Sequence, residues 1–379
     1  LRISNSSMIT IQEAKTKKEL TQFIQFPFSL YKDNKYWVPP IIADELETFD
    51  KTKNPAFENA EAYFYIAYKD NKIVGRVVAI INWDEVNILE KKKVRFGWFD
   101  VIDDIEVTKA LLDKVIAFGK EHNLENIEGP MGFSNLDKVG CLIDGFDQRG
   151  LMITWYNFPY YATHFEQLGF AKEKVYLESK FPFSNIDATN FQRIADMIEK
   201  RYELTHLNFT KTKDIMPYVD KMFDLFNSSY ATLQSFVPIN DIQIEYFKKK
   251  YISFINPEFI KFVMDKEGKM VAFSIVMPDF AEALQKAKGK LFPTGFLHLL
   301  KAKNKCKTAV FYLIGVLPEY QSKGVTSIIF NENHISFKKI GVETCMRTPE
   351  LEDNHAIHNL WKHFDPEYHK KRCTFIKEL

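Results

Sequence analysis

Cysteine is scarce in this chain. Its four cysteines, Cys141, Cys306, Cys345 and Cys373, are spread across 379 residues and form no C-x-x-C pair. That excludes a zinc ribbon and a disulfide framework, and a reducing, cytoplasmic setting is expected. A surplus of either charge is also missing. Lys plus Arg is 51 and Asp plus Glu is 50, a net +1, so neither a general DNA binder nor a polybasic membrane binder is expected. No apolar run reaches the roughly 18 residues that a membrane helix needs. The stretch Leu1–Ser7 lacks the basic and apolar segments of a signal peptide, with Met8 a candidate natural first residue. Aromatic and apolar residues, by contrast, are plentiful at 15% and 46%, with 34 phenylalanines. They can build substantial cores and argue against long disorder, and the length suggests roughly two or three domains.

The sequence repeats itself. Residues 63–81 (YFYIAYKDNKIVGRVVAII) and 259–277 (FIKFVMDKEGKMVAFSIVM) each read as strand, polar turn, strand, with a Lys after the turn (Lys72, Lys269). Each hairpin is followed by a strongly apolar strand (94–102; 309–317) and a helical pattern (106–121; 324–339). A short strand (126–129; 342–346), a last helix (near 161–168; near 354–364) and a closing strand (175–181; 372–376) complete each half. Private insertions, 131–157 and 278–307, explain why matched points such as Lys72 and Lys269, or Thr108 and Thr326, are 197 and 218 residues apart. The expected architecture is α/β (α+β), two tandem units over 8–182 and 183–379. Each is a mixed, mostly antiparallel twisted sheet flanked by helices. Residues 1–180 carry a net −4 and the remainder +5, which makes the second half the better host for an anion.

The most informative stretch is IGVLPEYQSKGVTSIIF, Ile314 to Phe330. An apolar strand ends at Pro318, which cannot donate to a ladder. Gln321, Ser322, Lys323 and Gly324 then lead directly into an amphipathic helix. Such a turn presents unpaired backbone N–H groups at a helix N-terminus, where the macrodipole favours an anion and glycine allows close approach. Taken alone, the same residues are also compatible with an ordinary strand–turn–helix and a solvated Lys323.

The V-x-P-x-x-Q-x-x-G spacing from Val316 to Gly324 resembles the acyl-CoA pyrophosphate loop of the GNAT superfamily of N-acyltransferases. The order of elements around it matches, and each half of the chain can be laid on one GNAT unit. More narrowly, LFPTGFLHLL (291–300), GVLPEY (315–320) and LEDN (351–354) are similar to a bacterial family of two-GNAT-domain proteins. So are EGP (128–130), LIDGFD (142–147) and YNFPYY (156–161) in the first half. The resemblance implies an acyl-CoA co-substrate, acetyl-CoA or another acyl-CoA, bound in the second half. Leu313, Ile314, Gly315 and Val316 would line a slot for the pantetheine arm, where their strand splays from 342–346. Gln321, Ser322, Lys323, Gly324, Val325 and Thr326 would hold the pyrophosphate, and Asn354 would lie near the thioester. Two positions depart from the pattern. Thr326 stands where Gly or Ala is usual, and Phe165 and Trp361 stand where a Tyr often protonates the departing thiolate; neither can donate a proton as Tyr does.

The first half lacks the loop: Asp103, Asp104 and Glu106 open its helix and would repel a pyrophosphate. Its polar, aromatic insertion 129–161 contains Asn135, Asp147, Tyr156, Asn157 and Tyr161, which would help form an acceptor pocket facing the second half; a surface loop whose tyrosines close the core is the equal alternative. Glu350, Glu352 and Asp353 are general-base candidates near the expected thioester, with Glu352 foremost, although such residues also cap helices. His355, His358, His363 and His369 crowd the C-terminal region without a carboxylate or thiol placed to complete a metal site, so no metal is expected and His358 is the proton-relay candidate. The implied activity is direct acyl transfer from acyl-CoA to a small-molecule or peptide amine. Two rivals stay open: a degenerate GNAT pair that binds a CoA thioester or another small ligand without turnover, and an aminoacyl-tRNA-dependent aminoacyltransferase of the tandem type.

Overall fold

The computed structural model describes residues 8–232 and 236–379, so the stretch 1–7 considered above lies outside the described residues. The strands are β1 (Ile9–Glu13), β2 (Ala60–Lys69), β3 (Lys72–Asn82), β4 (Lys93–Val101), β5 (Asn126–Gly129), β6 (Cys141–Asp144) and β7 (Ala171–Pro182). They continue with β8 (Thr205–Leu207), β9 (Ile260–Met264), β10 (Met270–Pro278), β11 (Thr308–Val316), β12 (Thr344–Arg347), β13 (Glu350–Leu351) and β14 (Glu367–Glu378). The hairpins form where expected. In the first, Asp70 and Asn71 both take positive φ (52° and 60°), a two-residue turn whose twist matches the flanking strands. In the second, Gly268 supplies the left-handed residue at φ 78°.

Two compact units are present, but their boundaries are not those of the sequence repeat. One comprises residues 1–176, 284–295 and 370–379, the other 177–283 and 296–369. In the first unit the strand order is β1-β2-β3-β4-β5-β14, and β14 pairs antiparallel with β5, Phe375 opposite Gly129. In the second the order is β8-β9-β10-β11-β12, with β12 antiparallel to the end of β7, Cys345 opposite Phe181. The closing strands are therefore exchanged. The strand expected to close the first half pairs in the second unit, and the converse holds for β14. Residues 284–295, expected within the second half's insertion, belong to the first unit, where Gln285 donates to the Lys35 and Trp37 carbonyls and the Ile42 amide to that of Gly289.

In the first unit, alternation along β3 sorts side chains onto two cores. Val77, Ala79 and Ile81 face the helix Ile105–Glu121, while Val78 and Ile80 pack with Phe23 and Ile24 of the helix Lys17–Leu30. A charged network is buried beside them. Glu85 accepts from Arg95 at 2.8 Å and pairs with Lys93 at 3.0 Å, and Lys93 reaches Glu128 at 2.5 Å. Burial alone would raise the Glu85 pKa, but Arg95 and Lys93 overcome it and hold the group at about 2. Because this folded value lies below the ordinary 4.5, its stabilisation is complete above that pH and drains away as pH falls toward 2. Glu85→Ala, which strands buried Arg95 and leaves Lys93 with Glu128 alone, is expected to cost about 3–5 kcal/mol in urea unfolding at pH 7. The deficit relative to wild type should shrink on acidification through that window.

Candidate active site

The second unit carries the loop. After β11, residues Pro318–Tyr320 make one turn of 3-10 helix, Gly324 adopts φ 74°, and the helix Thr326–Ile340 begins with Val325 as its cap, without a side-chain acceptor. Ser327 and Ile328 donate back to the Gly324 and Val325 carbonyls. The amides of Ser322, Gly324, Val325 and Thr326 meet no acceptor among the described residues. A cluster of donors at the positive end of a fifteen-residue helix is what a phosphate oxygen requires. The Lys323 ammonium lies 4.6 Å from the Tyr320 ring centroid and 5.2 Å from that of Tyr202, which keeps its charge beside the loop. Gln321 points back and donates to the Val316 carbonyl at 3.3 Å.

The strand leading into the loop has an open edge. β11 and β12 run parallel, but their pairing stops at Phe311 opposite Arg347. Along its other edge β11 stays paired with β10 as far as Val316, through a bulge between Ile275 and Val276. A bulge adds one residue and reverses which carbonyls face outward. Beyond it, the carbonyls of Tyr312, Ile314 and Val316 turn to the edge that β12 has left. Each meets a side-chain hydroxyl: Thr348 at 3.4 Å, Tyr230 at 3.0 Å and Ser229 at 3.1 Å, respectively. Tyr230 and Ser229 come from the end of the helix Val219–Tyr230. Burial pushes the Tyr230 hydroxyl up to about 12, against the lowering effect of the Ile314 carbonyl. Neither residue stands out in the sequence, because nothing local marks a Tyr at a helix end as the neighbour of a strand some 84 residues away.

The expected catalytic residues are placed differently. Trp361, at the position where a Tyr would donate, is buried among Phe181, Phe311, Phe330 and Phe364, and its indole N–H donates to Glu350 at 3.1 Å. Glu350 is also ion-paired with buried Arg347. Trp361 is a core residue, and Trp361→Ala is expected to cost about 3–5 kcal/mol in denaturant unfolding. His358 has both ring nitrogens engaged. Nε2 lies 2.8 Å from the Leu351 carbonyl and must carry the hydrogen, leaving Nδ1 to accept from Arg347 at 3.3 Å. Asn354 caps the helix His355–Trp361, its side chain accepting from the Ile357 amide at 3.3 Å. Glu352 is exposed on the turn before that helix. The four C-terminal histidines join no group of three metal-ligating side chains among the described residues.

In the first unit the corresponding places are filled by the chain itself. Asp104 accepts from the Glu106 amide at 3.0 Å and pairs with Lys69 at 2.8 Å, so the helix N-terminus already holds a carboxylate. Past the short β4–β5 pairing, the Met131 amide donates to the Phe96 carbonyl, Tyr160 donates to the Val101 carbonyl, and the Val101 amide donates to Tyr161. Phe165 is fully buried among Phe96, Phe99 and Phe170. The five acceptor candidates are not brought together. Asn135 and Asp147 are exposed, Asn157 is buried and bridges the Leu142 backbone, and Tyr161 sits in a closed cluster with Tyr31 and Asp100. Tyr156 lines a pocket with Trp37, Trp98, Trp155, Glu45 and Lys138.

Taken together, the two units, the bulged and half-open β11 and the loop after it define the fold of a tandem GNAT protein. Solved structures agree. A tandem GNAT protein from the clavulanic acid biosynthesis pathway superposes with a TM-score of 0.60 at 10% identity, covering 98% of both chains. A GCN5-related N-acetyltransferase from Sphaerobacter thermophilus gives 0.52 at 8% identity over 98% of this chain and 95% of the other. Among curated proteins, the chain is 35% identical to protein YghO of Escherichia coli K12 over 156 residues, 41% of this chain and 40% of that one. It is 27% identical to a bacterial ceramide synthase of Caulobacter vibrioides over 174 residues, 45% and 44% of the two chains. The chain thus spans less than half the length of the curated relatives it matches. No protein-family profile matches it.

Proposed function

We propose that the protein is an acyl-CoA-dependent N-acyltransferase whose acyl-CoA binds the second unit. The observation that carries this reading is the continuity of two features: the unpaired amides of Ser322, Gly324, Val325 and Thr326, and the edge of β11 that β12 abandons. The amides would take the pyrophosphate, with Lys323 adding charge, and Leu313 to Val316 would flank the pantetheine arm. The acceptor nitrogen attacks the thioester carbonyl, a C–N bond forms, and the C–S bond breaks with its electron pair going to sulfur. We assign the proton for that sulfur to Tyr230, whose hydroxyl lies on the open edge and is replenished from solvent. Glu352, through water, takes the proton that the ammonium loses. Proximity of the two substrates supplies much of the acceleration. The relative named a ceramide synthase supports an amine as the acceptor, since ceramide formation is itself an amide-forming acyl transfer.

The test is thiol release from acetyl-CoA and longer acyl-CoAs in the presence of a panel of primary amines. Amine-dependent release supports the reading; absence of binding to any acyl-CoA at millimolar concentration overturns it. The commitment of Trp361 and His358 to other partners favours one rival, a pair that binds a CoA thioester without turnover. Tight binding with the thioester left intact against every amine would select it.

A further inference from the structure

The pocket in the first unit contains a lysine with no partner. Lys138 lies in the insertion, partly exposed toward the pocket, and its ammonium makes no hydrogen bond or ion pair with any described residue. The neighbouring carboxylates take their hydrogen bonds from other groups, although Glu45 keeps its charge and acts on Lys138 through space. Asp100 accepts from Arg76 at 2.8 and 2.9 Å and from the hydroxyls of Tyr31 and Tyr161. Glu45 accepts from the Trp98 indole at 2.8 Å. Desolvation draws the Lys138 ammonium below the ordinary lysine value; Glu45 and Asp100 oppose that, and Arg76 and Arg372 add to it. The walls are aromatic: Trp37, Trp98 and Trp155 are three of the chain's five tryptophans, joined by Tyr156. Trp98 also holds φ 43°, a conformation that costs a bulky side chain about 1–3 kcal/mol and tends to persist where a site needs it.

We infer that this pocket is a binding site for a small carboxylate with a slim apolar body, its anion on Lys138 and its body against Trp98 and Trp155. The Lys138 ammonium has no hydrogen-bond acceptor among the described residues, and a carboxylate supplies one. A phosphate dianion would call for a second free cation, and Arg76 is already neutralised by Asp100. The inference does not depend on acyl-CoA binding, since every residue involved lies in the first unit.

The test is calorimetric and tryptophan-fluorescence titration of the full chain with hexanoate, 1-hexanol, hexylamine and hexyl phosphate. Hexanoate is expected to bind with a Kd of about 1 mM and to perturb the emission, at least tenfold more tightly than the other three. Lys138→Met should weaken hexanoate at least tenfold, Lys138→Arg should retain it within about threefold, and Gly324→Trp should leave it unchanged. Should Lys138→Met fail to fold, the Arg variant and the ligand ranking still decide. Equal binding of hexanol or hexylamine, tighter binding of hexyl phosphate, or indifference to the Lys138→Met change would overturn the site. A carboxylate could belong to the acceptor or to a bystander, and 6-aminohexanoate separates them: acetylation in the presence of acetyl-CoA marks an acceptor, binding without consumption a bystander, and failure to bind counts against the site.

Discussion

Gly324→Trp is expected to abolish calorimetrically detectable binding of CoA and acetyl-CoA, a loss of at least about 100-fold, or about 2.7 kcal/mol. Two effects combine. Gly324 holds φ 74°, in the left-handed region, where an L side chain costs about 1–2 kcal/mol. A β-carbon at this position would touch Ile198 only at ordinary van der Waals distance, 3.4 Å, so the backbone can survive the substitution. The indole beyond that carbon then has to lie across the loop and screen the amides of Val325 and Thr326. Gly324→Ala separates the two effects: it carries the strain without the screen, and its affinity should fall between those of wild type and the Trp variant. Thermal unfolding of both variants should shift by only a few degrees, since the position is at the unit's surface. Binding that survives in Gly324→Trp would move the cofactor away from this loop.

Tyr230→Phe is expected to lower kcat by about 100-fold or more, the range of a lost proton donor, while the Kd for CoA stays within about threefold. Its hydroxyl reaches the open edge of β11, and burial pushes its pKa up to about 12. The group therefore stays protonated at any pH at which the protein would be assayed. The variant should lower the rate uniformly with pH rather than delete an alkaline limb. The opposite pattern, with kcat intact and CoA affinity lost, would make Tyr230 a support for the pantetheine arm and return the proton donor to another group. Serine is the neighbouring control: Ser229→Ala removes a hydroxyl from the Val316 carbonyl, nearer the loop that begins at Pro318, and should change affinity more than turnover.

Two of the departures from the sequence-based expectation, at His358 and in the polar insertion, have a common origin. His358 was a proton-relay candidate on its sequence neighbourhood. Its ring nitrogens are consumed by the Leu351 carbonyl and by Arg347, and the latter is ordered by Glu350 and Trp361. The polar insertion looked like an acceptor loop, and the residues it does bring to a pocket are Lys138, Thr154, Trp155 and Tyr156, with Trp37, Glu45 and Trp98 supplied from earlier segments. Counting Asn and Asp in a loop cannot reveal which of them bond back to the main chain, as Asn157 does to Leu142.

What the sequence determined by itself is local. Alternation over residues 63–81 with Asp70 and Asn71 between the strands specifies a hairpin, because both turn residues tolerate positive φ. The apolar period after Gly324 specifies a helix, and the missing cap leaves its amides free. These are decided within about ten residues, where chain connectivity limits the alternatives. Which closing strand completes which sheet was decided only by the tertiary structure. β5 and β12 each present an edge whose backbone groups must be paired, and β7 and β14 both offer twelve-residue strands. Pairing rules permit either assignment, so packing of Phe375 beside Phe165 and of Phe181 beside Phe364 settles it. The hydroxyl of Tyr230 reaches Ile314 for the same kind of reason: a long-range contact belongs to the packed chain, not to any stretch of it.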